Sequence, residues 1–176
     1  MIFGHVAVSA LAYRYLKADF VPVMAAAVVP DVVDKVAHYV FSQGEGSRWM
    51  GHTLVVVAGS TTFVYLIWGK RPAWSWALGY LLHLFGEFGG VVPYLYPFVH
   101  YEFPYDYGFA ETFSMSLTNL PRMALEIGLC LWAGIALFDL WIIKKKRCEI
   151  VYASVARLFS PRIARIFANN KKIRAD

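Results

Sequence analysis

The sequence has few charged residues and almost no cysteine. Only 16% of its 176 residues are Asp, Glu, Lys or Arg, whereas about 25% is usual in a soluble globular protein. This low charge disfavours a soluble enzyme. The two cysteines are too few for a disulfide framework or a cysteine-rich zinc module. A disordered chain is excluded too, because disorder requires few apolar residues and much charge.

Apolar residues are abundant instead. They make up 59% of the chain, and aromatic residues make up 17%, so the composition predicts a small integral membrane protein of one domain. The positive charge is concentrated at one end, since residues 144–176 hold ten bases and two acids while the first 143 residues carry net negative charge. A basic tail of this kind does not indicate a nucleic-acid surface spread over a domain, and no nucleic-acid partner is expected.

Three segments are candidates for membrane-spanning helices. Met123–Ile143 and Ala73–Tyr94 reach the length of about 20 residues that a span requires, and Thr53–Trp68 is apolar but shorter. The runs His5–Leu16 and Phe20–Val29 are too short to cross a bilayer separately, so they predict a helical hairpin. The expected fold is therefore an all-α, polytopic helical bundle of about three spanning helices preceded by a short hairpin.

Basic residues predict the orientation of this bundle. Lys144–Arg147 ends the last span and Lys70–Arg71 separates the two earlier ones, so both clusters are expected on the cytoplasmic side. The loop Leu95–Arg122 then lies outside, and His52 lies at the outer end of its helix. We expect a multi-pass protein of the inner or plasma membrane with a cytoplasmic C-terminus.

The sequence divides into a membrane-embedded domain, residues 1–147, and a basic tail, residues 148–176. In the tail, Glu149–Phe167 alternates apolar residues with arginines and contains Pro161. This pattern favours an amphipathic element that binds anionic lipids of the inner leaflet. A solvated tail that only determines the topology is the alternative. Lipids, and possible membrane-protein partners, are the expected contacts of the chain.

Ionisable residues inside apolar segments are the candidates for function, because burying them is costly. His83 and Glu87 are four residues apart and share a face if both are helical, and Asp31 and Asp34 are three apart after Pro30. The aspartates can equally be a helix cap and turn. A hairpin turn at Lys17–Asp19 would bring His5 near Asp31, and His52 starts the next helix. The candidate metal ligands are His5, Asp31, Asp34, His52, His83 and Glu87.

This mixture of imidazoles and carboxylates is typical of a divalent metal site without cysteine. Zn²⁺ is the expected ion, with Mn²⁺ or Fe²⁺ as alternatives. If one coordination position is open, the ion binds a water molecule there and lowers its pKa, and a spare carboxylate could act as a base.

Several motifs carry a resemblance to a known family. They are Gly4–His5, Val29–Lys35, Arg48–Leu54, Leu78–Glu87 and Pro93–Pro97. In this order the motifs resemble those of the membrane-bound metal-dependent hydrolases, also described as LexA-binding, inner-membrane-associated hydrolases. The resemblance covers about residues 3–97.

The resemblance implies a multi-spanning membrane protein with a metal site formed at His5, Asp31, Asp34, His52 and His83. The sequence departs from the family pattern at two positions. Glu87 stands where the family usually has Asp, which keeps the carboxylate but lengthens the side chain. Ser47 stands where some members have a histidine, which removes one possible ligand.

Three functions are compatible with these residues. The first is a metal-dependent hydrolase acting on a lipid or lipid-linked ester or phosphoester, with Glu87 and Asp34 as catalytic residues and Arg48 holding a substrate phosphate. The second is a structural or accessory subunit, in which the cluster is a hydrogen-bonded clamp or a structural metal site. The third, ion or proton transport, has the least support because only one crossing carries buried charge at mid-depth.

Overall fold

The regular structure of the chain is helical. The computed structural model describes residues 3–41, 49–87, 91–102, 114 and 117–158, and it contains no β-strand within them. For Tyr39, Phe41 and residues 152–158 it describes the backbone alone. The α-helices are α1 (Gly4–Tyr15), α2 (Phe20–Ala26), α3 (Val29–Phe41), α4 (Leu54–Trp68), α5 (Lys70–Phe85) and α6 (Leu120–Leu158), and a 3₁₀ turn, Met50–His52, precedes α4.

Helices α1 and α2 form the hairpin that the short apolar runs predict. The chain reverses between Tyr15 and Phe20, where Lys17 adopts a left-handed backbone with φ of 56°. The backbone N–H of Asp19 donates to Ser75 Oγ at 2.8 Å, and Asp19 pairs with Arg71 at 3.1 Å. The turn of this hairpin is thereby attached to the beginning of α5.

A second hairpin joins α4 to α5. Thr53 caps α4 by accepting the Val56 N–H at 3.2 Å, and Gly69 makes the reversal with φ of 85°, a conformation that favours glycine. Since the two helices are antiparallel, the beginning of α4 and the end of α5 lie at one end of the hairpin. Lys70 and Arg71 lie at the opposite end.

Helix α5 packs closely on α2. A side chain at Gly79 would collide with the backbone carbonyl of Val23, so only glycine permits this approach. Around the contact the core consists of small and medium residues such as Ala26, Val57 and Leu84. This close packing brings the end of α5 next to the start of α3.

The predicted 22-residue helix Ala73–Tyr94 is wrong in its length. Helix α5 starts earlier, at Lys70, and stops at Phe85. Gly86 ends it by donating its N–H to the carbonyls of Leu82 and His83 at 3.0 Å each. Glu87 therefore lies just beyond the helix, in a tight turn, instead of one helical turn after His83.

Helix α6 is 39 residues long and extends well beyond the predicted span Met123–Ile143. Its stretch Leu120–Val151 is long and apolar enough to cross a membrane, the one such helix in the described residues, while α4 is apolar but shorter. Glu126, 9% exposed, accepts the N–H of Phe3 at 2.9 Å, which accounts for this acid in an apolar helix.

The contacts of the chain divide it into two compact units, Met1–Ala136 and Leu137–Asp176. The sequence-based boundary at 147/148 falls inside helix α6, which continues without interruption to Leu158. The remainder of the predicted amphipathic element, including Pro161, lies outside the described residues. The predicted lipid-binding role of the tail stays a prediction.

Candidate metal centre

His52 is held in place by Asp34 of helix α3. Asp34 Oδ2 lies 2.7 Å from His52 Nδ1 and accepts the backbone N–H of Trp49 at 2.6 Å, while Oδ1 accepts the N–H of Gly51 at 2.6 Å. A carboxylate that already accepts two N–H groups takes a third donor, so His52 Nδ1 carries the proton. This leaves the lone pair of His52 on Nε2.

The close contact at Gly51 explains why the loop before α4 contains glycine. A Cβ atom at this position would lie 2.7 Å from the carbonyl oxygen of Pro30 and 2.9 Å from Asp34 Oδ1. The loop is also tied to α5, because the Tyr80 hydroxyl donates to the carbonyl of Gly51 at 2.7 Å. Asp34 and Tyr80 together determine the position of His52.

His83, in the last turn of α5, is oriented by the backbone that follows α2. Its Nδ1 lies 2.8 Å from the carbonyl oxygen of Ala27. A carbonyl oxygen only accepts hydrogen bonds, so Nδ1 of His83 donates and the lone pair again lies on Nε2. Both histidines are therefore held in the form in which Nε2 is free to bind a cation.

The two free nitrogens face each other beside a carboxylate. His52 Nε2 and His83 Nε2 are 3.2 Å apart, and Asp31 Oδ1 lies 3.6 Å from the first and 3.8 Å from the second. Two lone pairs at this separation repel unless a cation or a proton lies between them. Two nitrogens bound to one tetrahedral Zn²⁺ would be about 3.3–3.4 Å apart, so the geometry fits an ion.

Glu87 and His5 complete the cluster. Glu87 Oε1 lies 2.7 Å from His5 Nε2, and the His5 ring packs on that of His83 with centroids 4.0 Å apart. Ligand atoms of Asp31, His52, His83 and Glu87 all lie within 4.8 Å of one another. These four residues form a group that could hold a metal ion.

The cluster is closed on most sides and open at Asp31. The side chains of His52 and His83 are completely buried, whereas that of Asp31 is 26% exposed. Burial acts most strongly and raises the pKa of the Asp31 carboxyl, but the Lys35 ammonium at 3.0 Å and the neighbouring His83 together outweigh it, and the pKa lies below its usual value. Asp31 therefore presents a carboxylate at the accessible side of the group.

The structure brings the six candidate metal ligands together, but four of them form the group and two lie beside it. Asp31, His52, His83 and Glu87 form the four-residue group. Asp34 contacts His52 through Nδ1, the nitrogen turned away from the group, and His5 contacts Glu87. Both lie one hydrogen bond from the group, as orienting residues. Arg48, the predicted phosphate-binding residue, lies outside the described residues.

Two contributors had no assigned role in the sequence analysis. Tyr80 lies three residues before His83 on α5, a spacing that places both on one side of a helix and that could have suggested a shared site. Lys35 lies four residues after Asp31, where the same argument applies. The backbone groups of Ala27, Trp49 and Gly51 leave no signal in the sequence, because every residue supplies the carbonyl and every residue except proline supplies the N–H.

Comparison with known proteins adds no further assignment. The chain matches no family model, no curated protein and no solved structure. The resemblance to the membrane-bound metal-dependent hydrolases stays a prediction. The chemistry of the site is therefore argued from its own residues.

Proposed function

We propose that the chain is a membrane-embedded, metal-dependent hydrolase. The observation that carries the proposal is the pair of fully buried histidines whose Nδ1 atoms are both engaged, so that their Nε2 atoms converge beside the Asp31 carboxylate. Carboxylate–histidine–metal arrangements of this kind are usual around protein-bound zinc. A bound Zn²⁺ would supply a Lewis acid that lowers the pKa of water toward neutrality.

Each side chain has a distinct part in this proposal. Asp31, His52 and His83 are the metal ligands, and Asp34 and the Ala27 carbonyl orient the two rings. With these three protein ligands, a bound Zn²⁺ would keep a position for water, as catalytic zinc sites do. Glu87, hydrogen-bonded to His5, accepts the proton of the attacking water.

Exposed apolar side chains favour a location in the membrane. Helix α4 presents Phe63, Leu66 and Trp68 with 60–75% of their surface uncovered, and α6 exposes most of its apolar residues. Surfaces of this kind are unfavourable in water. The proposal is that α6 spans the bilayer and that α4 and α5 are embedded with it, which makes lipids and lipid-linked esters or phosphoesters the nearest substrates.

Metal analysis of purified protein tests the proposal directly. The protein would be purified in detergent without chelators, and its Zn, Mn and Fe content measured by mass spectrometry. We expect about one ion per chain in the wild type and almost none in His83→Ala. His100→Ala is the matched control, since His100 is exposed and remote in sequence from the group. A wild-type protein without stoichiometric metal would refute the proposal.

A structural or accessory role is the second candidate, and one observation favours it. The Glu87 oxygen is close enough to the other three ligand atoms to close a tetrahedral site, and a closed site has no position for water. Such a site would stabilise the packing of α3, α4 and α5 without catalysis.

The variant Glu87→Gln separates the two candidates. If Glu87 is the base, the variant keeps its metal and its hydrolytic activity falls by about 100-fold or more. If Glu87 is the fourth ligand, the metal affinity falls instead and melting of the protein shifts to lower temperature. Activity would be assayed on soluble carboxyl and phosphate esters and on phospholipid in mixed micelles.

A further inference from the structure

Lys35 lies at the open side of the metal centre. It follows Asp31 by one turn of α3, and its Nζ is 3.0 Å from Asp31 Oδ2. The other oxygen of the same carboxylate, Oδ1, faces the two histidines. The side chain of Lys35 is 39% exposed, so its ammonium stands where the group is accessible. Among the residues that the structure describes, Asp31 is its one ion-pair partner.

The charges of the site make this position significant. As carboxylates, Asp31, Asp34 and Glu87 carry three negative charges, and a divalent ion would offset two of them. An anionic substrate would then meet a net negative pocket, which opposes its entry. The Lys35 ammonium removes the remaining charge on the side from which a substrate enters.

We propose that Lys35 binds the phosphoryl oxygens of the substrate, and hence that the site is selective for phosphate esters over uncharged carboxyl esters. This inference rests on the proposed hydrolase function. An ammonium on a flexible stem is a common phosphate ligand because it places a point charge with three donors against the anion. Rotation of the Lys35 side chain would move its ammonium from Asp31 Oδ2, at 3.0 Å, to a phosphoryl oxygen of the substrate.

The reaction that follows is the addition of water across a P–O bond. The water oxygen forms the bond to phosphorus, and the bond from phosphorus to the ester oxygen breaks with its electron pair on that oxygen. The proton that Glu87 accepts from water passes to the leaving oxygen, and the other water proton stays on the phosphate. The products are an alcohol and inorganic phosphate or a phosphomonoester.

A positioning role is the competing account of Lys35. If the ammonium serves only to hold Asp31, its loss changes the affinity for metal and leaves the preference among anions unchanged. If it binds the substrate, its loss weakens phosphate binding even when both proteins are compared at full metal occupancy. Measuring both affinities in the same variants therefore separates the two accounts.

The experiment uses full-length, metal-loaded protein in detergent and inorganic phosphate as the probe. Phosphate affinity is measured by calorimetry in the wild type, Lys35→Met, Lys35→Arg and the control Lys70→Met, whose lysine lies at the opposite end of the α4–α5 hairpin. We expect about a tenfold or larger loss for Lys35→Met, substantial recovery for Lys35→Arg, and less than a twofold change for the control.

Hydrolysis assays extend the test to substrates. In Lys35→Met, kcat/KM should fall at least tenfold for a soluble phosphate ester, for phosphatidic acid in mixed micelles, or for both, and stay within about threefold for a soluble carboxyl ester. The substrate with the larger fall in kcat/KM, phosphatidic acid or the soluble phosphate ester, shows whether the site takes lipid or soluble phosphate esters.

Two results would overturn the inference. One is equal phosphate affinity in wild type and Lys35→Met at full metal occupancy, and the other is an equal loss for phosphate and carboxyl esters. Failure of the proposed function itself is distinguishable, because it appears as absent metal in the wild type before phosphate is added.

Discussion

The helices around the candidate metal centre bury more polar side chains than helix α6 does, although α6 buries Glu126. Helix α5 buries His83, Tyr80 and Ser75 and keeps the large Trp74 62% exposed. Helix α6 exposes large apolar residues, among them Leu131 and Ile135 at 63% and 69%, and buries small ones such as Ala133. The first region buries hydrogen-bonded polar side chains, and the second presents a largely apolar surface.

This difference follows from the cost of burying polar groups. Each buried imidazole or carboxylate requires a partner, so the centre depends on exact placement of neighbours such as Asp34 and Ala27. A lipid-facing helix requires only an apolar surface of sufficient length. Substitutions in the two regions should therefore have different consequences, even where the residue types are the same.

The largest effect is expected at Asp34. Replacing it with alanine leaves His52 Nδ1 and the N–H groups of Trp49 and Gly51 without their acceptor, each in a buried or half-buried place. We expect a loss of about 3 kcal/mol or more in unfolding free energy and a 10- to 100-fold weaker metal affinity. Denaturant titration and metal competition measure the two.

Asp139→Ala is the matched variant in helix α6, where the aspartate is exposed. The expected change is within about 0.5 kcal/mol. Equal destabilisation by the two substitutions would contradict this expectation, because it would mean that the hydrogen bonds of Asp34 contribute nothing beyond a surface carboxylate.

A charge on helix α6 should act on membrane insertion. Leu131→Arg places a guanidinium on a 63% exposed apolar position, which costs about 3 kcal/mol near the middle of a bilayer. We expect a marked decrease of the protein in the carbonate-resistant membrane fraction, with Leu131→Ala close to wild type. Unchanged insertion of the arginine variant would show that this face of α6 is not in lipid.

Glycine substitutions in the two regions are expected to change the stability in opposite directions and by smaller amounts. Gly79→Ala forces a methyl group against the Val23 carbonyl and should destabilise the protein by about 1–3 kcal/mol. Gly128→Ala in α6 meets nothing within 4 Å and should stabilise it by about 0.5–1 kcal/mol, since alanine favours the helix. Thermal melts of both variants in the same detergent check the opposite signs.

The sequence predicted the local features of the fold well and the ends of helices less well. The turn at Lys17–Asp19 followed from two short apolar runs, and the structure has it there. The end of α5 was placed too late, because the apolar composition continues past Phe85 while Gly86 ends the helix. Apolar composition indicates which segments favour lipid, but it does not show where a helix ends, because helix termination depends on local backbone hydrogen bonds.

The site shows the same division. Residue type and apolar context singled out His52, His83, Asp31 and Glu87, which converge in the structure. Residue type and apolar context do not distinguish a metal ligand from a residue that orients a ligand. Asp31 and Asp34 are three residues apart and chemically identical, but one faces the free Nε2 atoms and the other holds the protonated Nδ1 of His52.

From composition and spacing alone it follows that the chain is helical, apolar and supplied with a small set of histidines and acids, since both act on each segment separately. The folded chain is needed to see which nitrogen of each histidine is free, which carboxylate faces it and which lysine lies at the opening. Those properties arise from contacts between α2, α3, α5 and the loop before α4, and contacts between distant segments depend on packing, which no single segment encodes.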